Sequence, residues 1–295
     1  MSRMHRDRVK THSRIRLSIQ LAAAALLNGY AAGFSNRRIF TGKTKLFCVP
    51  VLNCYACPGA LSACPIGAMQ TIAAQHGIPF YVLGLLTLFG TLFGRLLCGL
   101  ICPFGLIQDL LARIPLKKRR IPHKADRILR YLKYAVLAVM VLLLPAAVQN
   151  ALGSGDPWFC KYVCPAGTLE GGIPMVLLDT KLRSLAGVLF TWKIAVLIAV
   201  LAAAVRIPRV FCRYLCPLGA FYALFNRFAC FQIQVSEHKC VTCGKCSEVC
   251  PMQLDVPAEI CSGECIRCGK CKAVCPADAV QTTFSLRSLE NKRTS

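Results

Sequence analysis

The chain has 295 residues, of which 55% are hydrophobic and 17% charged, and its formal net charge at pH 7 is +23. With so few charged residues, apolar segments are expected to be concentrated outside the polar carboxy-terminal part. The basic residues crowd the amino terminus and one middle loop instead of following one binding face, which argues against a nucleic-acid partner and for a membrane.

Four apolar segments are each close to the ~20 residues that a helix needs to cross the hydrocarbon core. They are residues 15–34, 79–97, 131–148 and 186–205. Basic residues precede the first segment and separate the second from the third, and the positive-inside rule places both of these regions in the cytoplasm. The sequence therefore predicts a multi-pass protein of the bacterial cytoplasmic (inner) membrane with both termini in the cytoplasm.

The amino terminus has a second interpretation. A basic leader, an apolar stretch and the small residues Ala31, Ala32 and Gly33 resemble a signal peptide. Cleavage there would leave the remaining topology unchanged. We favour a retained helix, because an internal repeat gives the third apolar segment a counterpart only if the first one stays.

The phrase Cys-Pro-x-Gly occurs four times. It begins at Cys64, Cys102, Cys164 and Cys216, and the last three copies have a further cysteine four residues upstream, at Cys98, Cys160 and Cys212. Proline suits the first position of a helix, so each phrase is predicted to place its cysteine at a helix start. Free N–H groups and the helix dipole favour negative charge there, and a thiolate-ligated cluster is such a charge.

The order of the phrases predicts which of them meet. The second and fourth follow inward-going segments, and the two helix pairs look like parallel repeats about an axis along the membrane normal. Four cysteines are therefore predicted to meet at the inner face: Cys98, Cys102, Cys212 and Cys216. Four thiolates are the number that a 4Fe-4S cluster needs.

The outer face is less regular, because the first phrase carries an insertion. The third phrase offers Cys160 and Cys164, but Ala60 stands where the simple repeat would place a cysteine in the first. The preferred partners of the third phrase are Cys57 and Cys64. These four cysteines form the predicted outer ligand set.

Other cysteines near the outer face leave alternatives open. Cys54 is the first substitute as an outer ligand. An outward-facing Cys48, Cys54 or Cys57 could instead form a disulfide in an oxidising compartment. Cys48, Cys230 and Cys261 fit no ligand set and are interpreted as buried or incidental thiols.

Eight cysteines near the carboxy terminus form two copies of the run Cys-x2-Cys-x2-Cys-x3-Cys-Pro. This is the spacing of bacterial two-cluster ferredoxins, in which the fourth cysteine of each run ligates the other cluster. One predicted set is Cys240, Cys243, Cys246 and Cys275, and the other is Cys265, Cys268, Cys271 and Cys250. A zinc ribbon is the alternative, but its two ligand pairs need no third closely spaced cysteine.

These segments predict a mainly α-helical membrane protein with four transmembrane helices in two repeated pairs, followed by an α+β two-cluster ferredoxin domain. The predicted parts are a basic cytoplasmic amino terminus at 1–14, a membrane domain with the Cys-Pro-x-Gly loops at 15–229, the ferredoxin domain at 230–284 and a basic polar tail at 285–295. Four 4Fe-4S clusters are expected, two in each domain.

Nearly the whole chain resembles the NapH/NosR-type family of membrane-bound polyferredoxins. The resemblance rests on the basic amino terminus, the four apolar segments, the Cys-x3-Cys-Pro motifs at 98/102 and 212/216, and the two ferredoxin runs. The extended segment from Asn53 to Pro65 departs from the simpler NapH pattern and is more similar to relatives that work beside flavin-binding extracytoplasmic proteins. The resemblance implies redox partner proteins on both sides of the membrane, with a flavin-binding protein as a candidate.

The predicted function is a relay of electrons between a cytoplasmic or quinol donor and an extracytoplasmic acceptor, with membrane lipid and redox proteins as partners. The sequence has no dinucleotide-binding glycine fingerprint and no haem-attachment motif, so an electron-transfer subunit is favoured over a self-contained enzyme. Two alternatives stay open: a redox sensor or maturation factor that supplies reducing power for metalloenzyme assembly, and a quinol dehydrogenase subunit. Candidate proton acceptors for quinol are His76, Asp109, Asp156 and Glu170.

Overall fold

Helices begin at all four Cys-Pro-x-Gly phrases in the computed structural model, which describes residues 3–150 and 155–284. Cys64, Cys102 and Cys216 each precede a helix whose first residue is the proline of the phrase. Helical backbone also follows Cys164 directly. The four cysteines themselves are extended, with ψ between 105° and 127°. The predicted placement of these cysteines at helix starts is therefore confirmed.

The described chain is mainly helical. The principal helices in chain order are α1 (Arg3–Leu27), α2 (Pro65–Ala74), α3 (Phe80–Phe93), α4 (Leu96–Leu100), α5 (Pro103–Leu111), α6 (His123–Ala147), α7 (Gly167–Leu178), α8 (Val188–Arg206), α9 (Val210–Tyr214), α10 (Pro217–Asn226) and α11 (Lys270–Val274). Single turns lie at Ala32–Ser35, Lys43–Leu46, Phe159–Val163, Thr180–Ser184, Glu237–Lys239, Lys245–Glu248 and Val256–Glu259. Backbone bonding is π-helical in the middle of α6 and at the start of α7.

Two helices in the described part of the chain, α6 and α8, are long and apolar enough to cross a membrane. Only 28% of the most apolar stretch of α6 and 17% of that of α8 is buried inside the protein. A core helix of a soluble protein would be covered by other elements, whereas these two present apolar surface outward. They coincide with the third and fourth predicted segments and indicate a membrane protein.

The first two predicted segments form helices that differ from simple spans. Within residues 79–97, α3 has 14 residues, about 21 Å at 1.5 Å per residue, less than the ~30 Å of the hydrocarbon core. It ends at Gly94, whose φ of +56° is a conformation that residues with a side chain rarely adopt. Within residues 15–34 the helix ends early, because α1 runs from Arg3 to Leu27. The presence of four spans stays a prediction.

The cysteines of the Cys-Pro-x-Gly phrases lie inside the main hydrophobic core. Phe104 of α5 and Phe211 of α9 meet there edge to face, with ring centroids 5.1 Å apart. Phe159, just before Cys160, is also fully buried in this core. The thiols of these four cysteines are thus packed among apolar side chains and shielded from bulk water.

The segment that carries both ferredoxin runs is closed by a two-stranded antiparallel sheet. Strand β1 (Phe231–Val235) pairs with β2 (Val280–Phe284), so that Phe231 lies opposite Phe284 and Val235 opposite Val280. Ile233 and Val280 of the two strands belong to one small buried core. The pairing joins the two ends of the segment that holds these eight cysteines. The predicted basic tail at 285–295 lies outside the described residues.

Candidate metal centres

Two cavities in the carboxy-terminal segment each collect one predicted cysteine set. One has a volume of about 240 Å³ and is lined by Cys240, Cys243, Cys246 and Cys275. The other is lined by Cys250, Cys265, Cys268 and Cys271. Each cavity thus combines three cysteines of one run with the fourth of the other run. This is the crossed arrangement that the motif predicts for two clusters.

The two carboxy-terminal sets differ in their access to solvent. Cys243 is exposed, and the side chain of the neighbouring Val241 is also exposed. In the other set Cys271 is buried, and Ile266 forms an apolar cluster with the surrounding cysteines. Solvent exposure is one of the properties that set the potential of an iron–sulfur cluster. The two sets are therefore expected to differ in potential.

The inner set is brought together as predicted from the repeat. All four of its members are buried and lie close enough to influence one another electrostatically: Cys98, Cys102, Cys212 and Cys216. The side-chain amide of Gln108 lies 3.1 Å from Cys212 Sγ and donates to it. The carbonyl oxygen of the same amide accepts from Phe211 N at 3.2 Å. Gln108 therefore joins the second phrase to the loop that holds Cys212.

Two buried arginines cross between the halves of the inner site. Arg95 Nη2 donates to the carbonyl oxygen of Cys212 at 2.9 Å, and Arg209 Nη1 donates to that of Cys98 at 2.6 Å. Each arginine lies three residues before the cysteine of its own half and reaches the cysteine of the other half. The reciprocal contacts relate the two halves by an approximate two-fold symmetry, and neither arginine was predicted from the sequence as part of the site.

A carboxylate compensates the charge of Arg209. Asp109 accepts from Arg209 Nε at 3.0 Å and from Nη2 at 2.6 Å, and it also pairs with Arg16 of α1. Gln20 Nε2 adds a hydrogen bond to Asp109 at 3.0 Å. Burial by itself would raise the pKa of Asp109, but the charges and hydrogen bonds of Arg209 and Arg16 hold that pKa well below its usual range.

A third cavity, of about 370 Å³, lies at the predicted outer site. Its lining includes four cysteines: Cys54, Cys64, Cys160 and Cys164. Cys57, preferred over Cys54 from the sequence, is buried but is not among the residues that line this cavity. A Cβ atom on Gly167 would lie 3.5 Å from Cys164 Sγ and 3.8 Å from Cys54 Sγ, so both sulfurs flank this residue. The geometry favours the substitute, Cys54, as the fourth member.

The outer site repeats the glutamine contact of the inner site. Gln70 lies six residues after Cys64, as Gln108 does after Cys102. Gln70 Nε2 lies 3.1 Å from Cys160 Sγ, and its Oε1 accepts from Phe159 N at 2.9 Å. Both glutamines therefore donate to a cysteine sulfur of the opposite half and hold the backbone just before it.

Glu170 takes the corresponding position after Cys164. Its Oε2 accepts from Cys54 N at 2.8 Å, which fixes the loop that presents Cys54. Burial raises the pKa of Glu170 to about 7. The other proton-acceptor candidates at this face pair elsewhere, Asp156 with Lys161 at 2.5 Å and His76 with Gln149 at 2.6 Å.

Backbone N–H groups also point at the cysteine sulfurs. Gly167 N donates to Cys164 Sγ and Gly219 N to Cys216 Sγ, each at 3.3 Å. Such donors stabilise thiolates that carry the negative charge of a cluster. Within the described residues, no group of His, Cys, Asp or Glu side chains converges closely enough for a single metal ion. Thiols that surround a cavity and receive N–H donors fit a cluster with several irons better than one zinc ion.

The three remaining cysteines are half-buried: Cys48, Cys230 and Cys261. None of them lines the three cavities described above. Cys230 N donates to Thr91 O at 2.8 Å, which ties the start of the carboxy-terminal segment to α3. Lys193 of α8 lines the outer cavity together with Lys161, so cationic side chains accompany the cysteines there.

Comparison with known proteins places a 4Fe-4S family over part of the chain. The chain matches a family described as a 4Fe-4S binding domain at residues 75–122, 135–175 and 188–232. An uncharacterized protein of Methanocaldococcus jannaschii is 32% identical over 202 residues, which cover 66% of this chain and 75% of that protein. The methylamine utilization ferredoxin-type protein MauN of Paracoccus denitrificans is 29% identical over 245 residues, 80% of this chain and 75% of MauN.

A further match is the regulatory protein NosR of Pseudomonas aeruginosa, 28% identical over 168 residues. These cover 55% of this chain and 21% of NosR. No solved structure matches the chain. The cysteine-lined cavities and these matches together define an iron–sulfur protein of the 4Fe-4S electron-transfer class. The chain belongs to the NapH/NosR-type family of membrane-bound polyferredoxins.

Proposed function

We propose that the chain relays electrons between a cytoplasmic or quinol donor and an extracytoplasmic acceptor. A bound 4Fe-4S cluster supplies one-electron transfer, and the protein sets its potential through ligands, hydrogen bonds and exposure. The hydrocarbon core is ~30 Å thick, so redox centres held near both faces shorten the distance that any one transfer must cover. The relay needs a close passage from the carboxy-terminal segment into the membrane half.

One contact carries this proposal: the ferredoxin run packs directly on the inner cysteine set. Gly99, the residue after Cys98, lies against the loop of Cys265 and Cys268. A Cβ atom on Gly99 would overlap the carbonyl oxygen of Ile266 and lie 3.8 Å from Cys268 Cα. The backbone next to Cys98 of the inner set thus packs directly on the backbone between Cys265 and Cys268 of a ferredoxin set.

Four ligand sets complete the proposal. Two are the crossed carboxy-terminal sets, and the third is the inner set of Cys98, Cys102, Cys212 and Cys216. For the outer set we propose Cys54, Cys64, Cys160 and Cys164, with Cys54 in place of Cys57 because it is the one that lines the cavity. Gln70 and Gln108 would each donate to one sulfur of the cluster in their own site.

The same proposal assigns an orientation. Residues 230–284 form the ferredoxin domain on the cytoplasmic side, where the solvent-exposed Cys243 marks the entry or exit for a soluble partner. The basic segment at 113–130, which includes the start of α6, lies on that side by the positive-inside rule. The outer cavity then faces the extracytoplasmic partner, for which a flavin-binding protein is one candidate.

Electron transfer across a vesicle membrane tests the proposal. Anaerobically purified protein is reconstituted into liposomes that enclose ferricyanide, and dithionite is added outside. We expect ferricyanide reduction by liposomes with wild-type protein and its loss in Cys216→Ser, because one inner ligand is removed. Cys230→Ser is the matched control, since Cys230 lines none of the cysteine cavities. Equal rates for wild type, Cys216→Ser and empty liposomes would contradict the relay.

A further inference from the structure

The two arginines of the inner site obtain their counter-charges from different parts of the chain. Arg209 pairs with Asp109, which lies seven residues after Cys102 on α5. The position equivalent to Asp109 in the other half, seven residues after Cys216, is Ala223 on α10. The membrane half therefore lacks a carboxylate at the symmetry-related place beside Arg95.

The ferredoxin segment supplies the missing carboxylate. Glu264 Oε2 lies 3.0 Å from Arg95 Nη1, and Glu264 Oε1 pairs with Lys133 of α6. Glu264 is 7% exposed, while Arg95 and Lys133 are fully buried. Two buried cations from the membrane half thus share one carboxylate from the residue just before Cys265. Removing that carboxylate would leave both charges buried without compensation.

The alanine in the membrane half makes room for this insertion. A Cβ atom on Gly263 would lie 2.9 Å from Ala223 O and 3.4 Å from Ala223 Cβ, so Gly263 packs directly on Ala223. Arg95 Nη1 also donates to Gly263 O at 3.0 Å. Ala223 is small and carries no carboxylate. It therefore leaves space for Gly263, and Glu264 of the ferredoxin segment supplies the carboxylate.

A second side chain holds the same loop. Asn226, at the end of α10, donates to Ser262 O at 2.7 Å and to Cys265 O at 2.9 Å. Its Oδ1 accepts from Arg95 N at 3.0 Å, so Asn226 joins the loop before Cys265 to the residues before Cys98. The equivalent residue in the other half, ten after Cys102, is Ala112. The hydrogen bonds of Asn226 to the ferredoxin segment therefore have no counterpart at the symmetry-related position.

We propose that Glu264 is a positioning residue that seats the ferredoxin segment on the membrane half and balances the charge of Arg95 and Lys133. The proposal rests on the proposed relay and assigns how one ferredoxin set is held beside the inner set. Because Arg95 donates to the carbonyl of Cys212, the charge balance at Glu264 also acts on the inner ligands. Glu264 would therefore influence both the distance between two redox centres and the potential of the inner one.

The test compares Glu264→Gln, which removes the charge, with Glu264→Asp, which keeps a carboxylate on the same segment. Glu259→Gln is the matched control, because Glu259 belongs to the same segment, is partly exposed and lies 3.8 Å from Arg130. Redox titration followed by electron paramagnetic resonance gives the midpoint potential of the inner centre. The same spectra report its magnetic interaction with the centre bound by Cys265.

In Glu264→Gln we expect an upward shift of the inner potential, because uncompensated positive charge favours the reduced cluster, and a loss of magnetic interaction. Glu264→Asp should keep the potential closer to the wild-type value, and Glu259→Gln should change neither quantity. Wild-type values in Glu264→Gln would overturn the proposal. If Glu264→Gln fails to retain iron, retention of iron by Glu264→Asp supports the proposal, and equal loss in both variants overturns it. A wild-type protein without an inner-centre signal would instead contradict the proposed relay.

Discussion

The side-chain amide of Gln108 donates to Cys212 Sγ at 3.1 Å while its carbonyl oxygen holds Phe211 N. Gln70 makes the same pair of contacts with Cys160 and Phe159. The glutamines of the first and second phrases therefore each hold the backbone before a cysteine of the opposite half and donate to its sulfur. Donors to cluster sulfurs raise the potential, because they stabilise the more negative reduced state.

Gln108→Leu is expected to lower the potential of the inner centre and leave the outer one unchanged. The variant also leaves Phe211 N–H without its buried acceptor, at a cost of about 1–3 kcal/mol. Potentiometric titration of each centre measures the effect, and Gln70→Leu is the matched variant with the reverse expectation. A shift of both centres in either variant would contradict the local role of these amides.

Gly99→Ala is expected to separate the ferredoxin segment from the inner site. The added methyl group would overlap Ile266 O, a backbone atom that cannot rotate away. Overpacking of this kind costs about 1–3 kcal/mol. Slower reduction of the inner centre with unchanged carboxy-terminal clusters is the expected result, measured by rapid-freeze spectroscopy. Gly84→Ala is the control, because nothing lies within 4 Å of a Cβ atom there. Equal rates in the two variants would argue against the contact as the electron route.

Cys54→Ser and Cys57→Ser distinguish the two candidates for the outer set. We expect Cys54→Ser to lose the outer cluster, about four iron atoms per chain, since a 4Fe-4S cluster needs its fourth thiolate. Cys57→Ser should keep full iron content, because Cys57 does not line the cavity. Iron analysis together with the outer-centre spectrum decides between them, and the opposite pattern would restore Cys57 as the ligand.

Asp109→Asn is expected to destabilise the protein by about 3–5 kcal/mol, because Arg16 and Arg209 would remain buried without their counter-charge. The depressed pKa of Asp109 means that its stabilising effect is present above the unfolded pKa of about 3.9 and is lost as the pH falls below it. The stability difference between wild type and variant should therefore be constant near neutral pH and narrow only as the pH falls below about 4. Thermal unfolding in detergent at several pH values measures this difference.

Asp156→Asn is the control for that experiment. Asp156 pairs with Lys161 in a partly exposed ion pair at 2.5 Å. Exposed pairs contribute at most about 1 kcal/mol, so this variant should unfold close to wild type. A stability loss in Asp109→Asn no larger than that of Asp156→Asn would show that the arginines around Asp109 find other compensation.

The sequence was most informative where ligands follow fixed local spacing. The two ferredoxin runs predicted which cysteines share a cavity, since each run is a single tight loop and the crossing of the fourth cysteine follows from the motif. The Cys-Pro-x-Gly phrases likewise predicted helix starts and the four members of the inner set. In both cases the decisive residues are a few positions apart or related by an internal repeat.

Spacing was less informative where an insertion interrupts the repeat. Between Cys54 and Cys64 the loop makes two turns, and Glu170, more than a hundred residues away, holds Cys54 N. The charged contacts of the inner site also depend on long-range packing. The residues near Glu264 in the sequence do not predict that its carboxylate pairs with Arg95 and Lys133. Likewise, hydropathy predicted an apolar segment that continues to residue 97. In the structure the helix ends at Gly94, just before the buried Arg95.

Iron and acid-labile sulfide analysis of anaerobically purified protein counts directly how many clusters the chain holds. Four cysteine sets that each hold a 4Fe-4S cluster predict about sixteen iron and about sixteen sulfide per chain. Single replacements of Cys216, Cys164, Cys271 and Cys246 should each remove one cluster signal and leave the others. A wild-type value near eight iron would contradict the account, because it would leave the membrane half without redox centres.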